Sequence, residues 1–253
     1  MRYLKGFYMS LGMFCRIPLP FHIWDEKYAA LMISAFPLVG LVIGVLWWLV
    51  GVLLIALGIP LILTGAFLAL TPFLIAGFIH LDGYMDTSDA LLSCRQLEDK
   101  LRILKDPRVG AFAVIMFGIL LLLQFTAMYT VAEYGRYLVL LVSISVVSRS
   151  CSTLSIFTLR SIPQSDYGPM LTQNIGISHK LFVIAVAIIT TALSFLYAGA
   201  WGLIVIVAVI VGYVCAIAHA YRGFKGISGD LLGYALIIGE LCGLIALAIA
   251  QAR

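Results

Sequence analysis

Seven stretches of this chain are apolar for long enough, or nearly so, to cross a bilayer, and that feature leaves few folds open. They lie near residues 31–57, 61–79, 110–131, 137–159, 181–198, 201–219 and 231–251. A helix needs about 20 apolar residues to span roughly 30 Å of hydrocarbon. Backbone in lipid must also satisfy its own hydrogen bonds, which a helix does within one segment. The chain therefore reads as an all-α polytopic membrane bundle of about seven transmembrane helices. Gly58-Ile59-Pro60 marks a tight turn between the first two spans, and Ala198-Gly199 divides the fifth from the sixth. A hydrophobic content of 63% and a mean hydropathy of +1.10 agree with that class. No repeat, low-complexity tract or second soluble domain interrupts residues 1–253, which read as one integral membrane domain.

The opening MRYLKGFYMSLGMFCRIPLPF has early bases, no long uncharged core and no convincing cleavage site. It reads as a retained amphipathic segment at the cytoplasmic interface, ended by Pro18 and Pro20. Cys15, Cys94, Cys151, Cys215 and Cys242 are too scattered for a zinc or disulfide framework. Basic residues orient the bundle. Arg2, Lys5, Arg16 and Lys27 precede the first span, and Arg95, Lys100, Arg102, Lys105 and Arg108 follow the second. Arg160 and Lys180 flank the connection after the fourth, and Arg222 and Lys225 precede the last. With the N-terminus inside, all of these are cytoplasmic, and the far side keeps only Glu133, Arg136 and Arg253. The expected location is a bacterial or archaeal cytoplasmic (inner) membrane, with N-terminus and active site facing the cytosol. Orientation also accounts for the net charge of +4 without nucleic acid as a partner.

Of the 28 charged residues, eleven fall between Asp82 and Arg108. Within HLDGYMDTSDALLS, Asp82, Asp86 and Asp89 are spaced i, i+4, i+7, which puts three carboxylates on one helix face. Like charges so placed destabilise a bare helix, and the arrangement asks for a cation. Mg²⁺ suits it, because that ion binds through one or two carboxylates, keeps some waters and completes its shell with phosphate oxygens. An acidic, solvated helix start favoured by the dipole is the plainer explanation, and the scarcity of acids in this chain weighs against it. His80, next to the acids in sequence, is read as an interface residue or a proton acceptor.

Lys105-Asp106-Pro107-Arg108-Val109-Gly110 closes the loop before the third span. Lys105 and Arg108 suit a phosphate, and Asp106 either adds a metal ligand or orients Arg108. Arg95 and Arg102 are read on the solvated face of a helix over 90–105. Arg149, among five serines, and Glu240 lie inside apolar spans, where each charge needs a partner. They read as a structural pair or as a polar pocket for part of a large head group. In FKGISGD, Ser228 and Asp230 open a helix beside two glycines, a loop that can approach phosphate or metal. The alternative role for Asp230 is to cap that helix. Gln164–Asp166 and Tyr167 are placed at a substrate entrance by position only, and His22, His179 and His219 are assigned nothing. Gly40 with Gly44, and Gly239 with Gly243, are read as close-packing pairs. No Walker, G-x-S-x-G or H-E-x-x-H motif is present.

Together these segments resemble a known family. HLDGYMDTSDALLS and ILKDPRVGAF are similar to the H-L-D-G-x-x-D-T-x-D-G and I-M-K/R-D-S-R-x-G signatures of the cobalamin synthases, the adenosylcobinamide-GDP ribazoletransferase family. FKGISGDLLGYALIIGEL, FYMSLGMFCRIPLP and AFPLVGLVIG resemble its other segments, in the same order from residue 7 to about 243. Ala90 replaces a usual Gly, Pro107 a Ser, and Ile227-Ser228 a residue followed by Thr, while Tyr84-Met85 is bulkier than the usual Leu-Ala. None of these departures removes a candidate ligand.

The resemblance implies an Mg²⁺-dependent membrane enzyme that joins adenosylcobinamide-GDP to α-ribazole, or its 5′-phosphate, and releases GMP. On that footing Asp82, Asp86 and Asp89 are metal ligands, and one of them or His80 takes the ribazole proton. Lys105, Asp106, Arg108, Arg149, Ser228, Asp230 and Glu240 are then substrate-binding residues. Lipid surrounds such a bundle, and a homo-oligomer or association with other cobalamin-assembly enzymes is compatible with it. Two rivals remain. Prenyl- and CDP-alcohol-type transferases also hold Mg²⁺ on Asp-rich helices, with different spacings. An ion-coupled transporter would place its acids at membrane depth, where only Arg149 and Glu240 lie.

Overall fold

The structure, a computed structural model, describes residues 2–163 and 175–253. Gln164–Asp166 and Tyr167 lie outside the described residues. Eleven α-helices are present among those described: α1 Arg2–Phe14, α2 Ala29–Ser34, α3 Phe36–Ala56, α4 Leu61–Ala76, α5 Ile79–Leu92, α6 Leu97–Ile103, α7 Ala111–Tyr134, α8 Leu140–Thr158, α9 Ile177–Ala198, α10 Ala200–Phe224 and α11 Gly229–Gln251. Six of them (α3, α7, α8, α9, α10, α11) are long and apolar enough to cross a membrane, and the count reaches seven only if α4 and α5, bent by 96° at their junction, are taken as one broken span. Six of the seven expected spans are recovered at this length, the one near 61–79 appearing as the 16-residue α4, and Gly199 (φ 59°) stands at the division between α9 and α10.

Two prolines shape the first crossings. Pro37 breaks what reads as one span over 31–57 into α2 and α3, with Ala35 between them. A proline has no N–H for the carbonyl four residues back. The Ile33 carbonyl so vacated accepts instead from the Thr153 hydroxyl at 3.3 Å. Pro72 inside α4 vacates Leu68 in the same way, and the Trp47 indole N–H donates to that carbonyl at 2.8 Å. The adjacent Ala69 carbonyl accepts from Gln124 Nε2, also at 2.8 Å. Orphaned backbone groups thus become ties between helices, the form such groups need where water is absent.

The core runs through Trp47, Leu68, Met128, Leu141, Val209 and Leu247, all fully buried and drawn from six helices. Close approach rests on the small-residue pairs. A side-chain carbon at Gly44 would stand 2.6 Å from Val142 Cα, so α3 and α8 touch backbone to backbone. Gly239 and Gly243 admit Val209 and Tyr213 of α10 in the same manner. Only Val183, Ser194 and Ala198 of α9 are buried, which leaves most of that helix to lipid.

At Gly77 (φ 71°) α4 ends in a left-handed cap, and α5 leaves at 96° to it. α5 therefore lies across the end of the bundle rather than through it. Its buried side, which includes Leu81, Tyr84, Thr87 and Leu91, packs down on α7 and α11. The helix expected over 90–105 is in fact two. Cys94, left-handed at φ 53°, separates α5 from the short α6. Arg102 does face solvent, paired with Asp99.

Candidate active site

The carboxylates lie on the face of α5 turned away from the bundle. Asp82 is exposed, and Asp86 and Asp89 are half-buried. A fourth acid joins them from α11. Gly83 sits against Asp230, where an added Cβ would stand 2.7 Å from Asp230 Cα and 2.8 Å from its carbonyl oxygen. Those are backbone atoms that cannot step aside, so a glycine at 83 is what lets the two helices cross here. Burial, then the charges of Asp82, Asp230 and Asp89, push the Asp86 carboxyl up from 3.8 to about 6. Asp230 does not cap its helix. Ser228 is the N-cap, accepting from the Leu231 N–H at 3.4 Å, and this leaves the Asp230 carboxylate to the cluster.

Asp89 is held from the other side. Its carboxylate occupies the space that a Cβ at Gly110 would fill, and Gly110 is the N-cap of α7. The positive end of a helix favours a carboxylate there. This explains the glycine that closes ILKDPRVG. In the same loop Arg108 grips Asp106 with two side-chain bonds, Nε at 2.9 Å and Nη2 at 2.7 Å, and its backbone N–H adds a third at 3.0 Å. These bonds hold the Asp106 carboxyl down at about 2. Asp106 thus orients Arg108 on the exposed rim, and Lys105 is exposed in the same turn.

Three sequence-based assignments are not brought to this surface. His80 lies about 160° around α5 from Asp82, as 100° per residue requires. Its ring packs between Phe14 and Phe36, with centroids 6.3 and 5.7 Å away. Burial, helped by the charge of Arg149, pushes its imidazole down to about 3. Arg149 and Glu240 are buried in the bundle and bonded to each other. Ser148 Oγ donates to the same Glu240 oxygen at 2.9 Å, and Arg149 Nη1 also donates to the Ser145 carbonyl at 3.1 Å. The two side chains are thus partners of each other within the bundle, as a charge at that depth requires.

Among the described residues, three that are not glycine adopt left-handed backbone: Phe78 (φ 65°), Cys94 (φ 53°) and Lys225 (φ 57°). They stand at the start of α5, just past its end, and just before α11. Such conformations cost free energy and persist where the surroundings enforce them, and here all three frame the acids. Sequence offers no signal for them, since none is Gly or Asn.

The donor set is all oxygen, and among the described residues no three acidic, histidine or cysteine side chains already converge as ligands. One or two carboxylates suffice for Mg²⁺. Burial first, and then the neighbouring carboxylates, raise Asp86; a divalent ion would relieve the repulsion among these acids, so the residues fit such an ion.

Residues 6–248 match the family described as cobalamin-5-phosphate synthase. The chain belongs to that family. Relatives of the cobalamin-5-phosphate synthases with the name adenosylcobinamide-GDP ribazoletransferase include one from Clostridium botulinum (strain Alaska E43 / Type E3), 36% identical over 96% of both chains. One from Clostridium perfringens (strain SM101 / Type A) is 35% identical over 98% of both. That of Clostridioides difficile (strain 630) is 29% identical over 96% of both. No solved structure matches the chain.

Proposed function

We propose that this protein is an adenosylcobinamide-GDP ribazoletransferase that uses Mg²⁺ at the α5–α11 corner. It transfers the adenosylcobinamide-phosphate group to α-ribazole, or to its 5′-phosphate, and releases GMP, the last step in assembling the nucleotide loop of cobalamin. The observation that carries the site assignment is the gathering of Asp82, Asp86, Asp89 and Asp230 at one end of a membrane bundle in a chain of this family. Bound there, a magnesium ion would neutralise the pyrophosphate and stabilise the departing GMP. Asp82, Asp86 and Asp89 are the residues to hold it, with Asp230 beside them. Arg108 and Lys105, on the rim, offset charge on the pyrophosphate oxygens. With His80 turned inward, the ribazole hydroxyl gives its proton to one of the aspartates. Attack is in line at phosphorus, without a covalent enzyme intermediate, since among the described residues no activated nucleophile faces the cluster.

The acids, the 104–110 loop and the starts of α7 and α11 all lie at the end of the bundle that carries most of the cations, which supports a cytosol-facing site in a cytoplasmic membrane. The test uses full-length protein in liposomes with adenosylcobinamide-GDP and α-ribazole. GMP and the cobalamin product should appear in equal amounts, and chelating divalent ions should reduce the rate at least ~100-fold. Trapping a guanylyl- or corrinoid-phosphoryl enzyme would overturn direct attack. Ion or solute flux with no turnover would return the protein to the transporter class.

A further inference from the structure

Beyond the end of α8, the chain doubles back beside the start of α11. Ile227 N–H donates to the Arg160 carbonyl and Ile162 N–H to the Ile227 carbonyl, each at 2.9 Å, making a parallel bridge at Ser161. Gly226 is packed so tightly here that a Cβ would stand 2.8 Å from Ile162 N. Behind this bridge opens a cleft of about 560 Å³ between the end of α8 and the start of α9. Its lining includes Thr158, Arg160, Ser161, Pro163, Ile175 and Lys180. Two cations line it and, among the described residues, no acid does. Neither Arg160 nor Lys180 is in an ion pair with a described residue. Lys180 stands in the first turn of α9, a 22-residue helix whose N-cap Gly176 has its N–H satisfied by His179 Nδ1 at 3.1 Å. Paired cations at the positive end of a long helix select an anion. The bridge ties this cleft to the Ser228–Asp230 segment of the acid cluster through only the residues from Ile227 onward.

The geometry points to a binding site for a phosphate monoester, and we assign it to the 5′-phosphate of the acceptor nucleotide. This rests on the transferase reading for the identity of the ligand. The family description has a phosphate in its product, and GMP carries away only the donor's own nucleotide phosphate, so the acceptor must bring that group in. The acceptor phosphate takes no part in bond making. Its role is to anchor the ribazole so that its hydroxyl faces the pyrophosphate held at α5, and thereby to set preference for the phosphorylated acceptor.

The test compares full-length wild type with Arg160→Gln, Lys180→Gln and the double variant in nanodiscs. GMP release is followed with α-ribazole 5′-phosphate and with α-ribazole. Wild type should prefer the phosphorylated acceptor. The double variant should lose ~100-fold in kcat/KM for it, keep its α-ribazole rate within about 2-fold, and regain part of the loss when residue 160 is Lys. Equal losses with both acceptors, no loss with either, or a wild type that does not discriminate would each overturn the assignment. Amine acylation of Lys180, read by mass spectrometry, separates this site from the reaction itself. Protection by α-ribazole 5′-phosphate or inorganic phosphate supports the site even in a preparation that releases no GMP, and absence of protection overturns it. Protection by phosphatidylglycerol nanodiscs alone, relative to phosphatidylcholine, would instead mark a lipid-headgroup site and overturn the nucleotide assignment.

Discussion

Asp86→Asn is expected to stabilise the metal-free protein while abolishing most of its turnover. Asp86 sits at the centre of four like charges, and its carboxyl rests at about 6 instead of 3.8. In a closed site that elevation would amount to about 3 kcal/mol, and because the group is partly open to water about 1 kcal/mol is the better figure. The sign follows from linkage. A carboxyl raised in the folded state binds protons that the unfolded chain has already released, so stability falls as pH rises from about 4 to about 6 and is flat above. The gain from Asn should therefore appear at pH 7 and vanish at pH 4, in thermal melts run with a chelator. Under the proposed reaction the same change removes a ligand for Mg²⁺, and GMP release should fall ~10³-fold or more. A variant that melts lower at pH 7, or turns over normally, would sink the four-carboxylate site.

The second large effect concerns the buried pair. Arg149→Ala or Glu240→Ala leaves one charge without its partner in the middle of the bundle. Removing half of a buried pair typically costs about 3–5 kcal/mol. Here Ser148 and the Ser145 carbonyl, which bond to the pair, lose their arrangement as well. Replacing both together, Arg149→Met with Glu240→Leu, should recover most of the loss, because apolar side chains in the bundle interior need no partner. The measurement is a double-mutant cycle on melting in detergent. If the double variant retains wild-type affinity for adenosylcobinamide-GDP, the pair is architectural. If it melts normally but no longer binds that substrate, the pocket reading of Arg149 and Glu240 returns.

Much of the architecture is legible in the sequence because lipid enforces it. Apolar runs of this length have one backbone solution, and Gly58-Ile59-Pro60 and Ala198-Gly199 announce their turns. What is hidden is local geometry among residues of one character. The break at Ala35 falls between two apolar stretches and depends on Pro37. The break at Cys94 depends on a left-handed residue that carries no conformational signature. At the site, the spacing of Asp82, Asp86 and Asp89 reads correctly as one helix face. The same 100° rule turns His80 inward, although its closeness in sequence suggests otherwise. Asp230 joins the acids only because Gly83 lets α11 in, a pairing across almost 150 residues that no local pattern carries.

The short reach of α4 has a consequence for the membrane itself. Its 16 residues rise about 24 Å, whereas the hydrocarbon layer is about 30 Å thick. The shelf formed by α5 is then sunk below the headgroups unless the bilayer thins around it, and mismatch of this kind costs a fraction of a kcal/mol per ångström. Acyl-chain length thereby becomes an input to catalysis. Turnover in vesicles should fall as the lipid is lengthened from 14 to 22 carbons, roughly the range over which thickness changes enough to matter. A rate indifferent to chain length would place the acids clear of the interface.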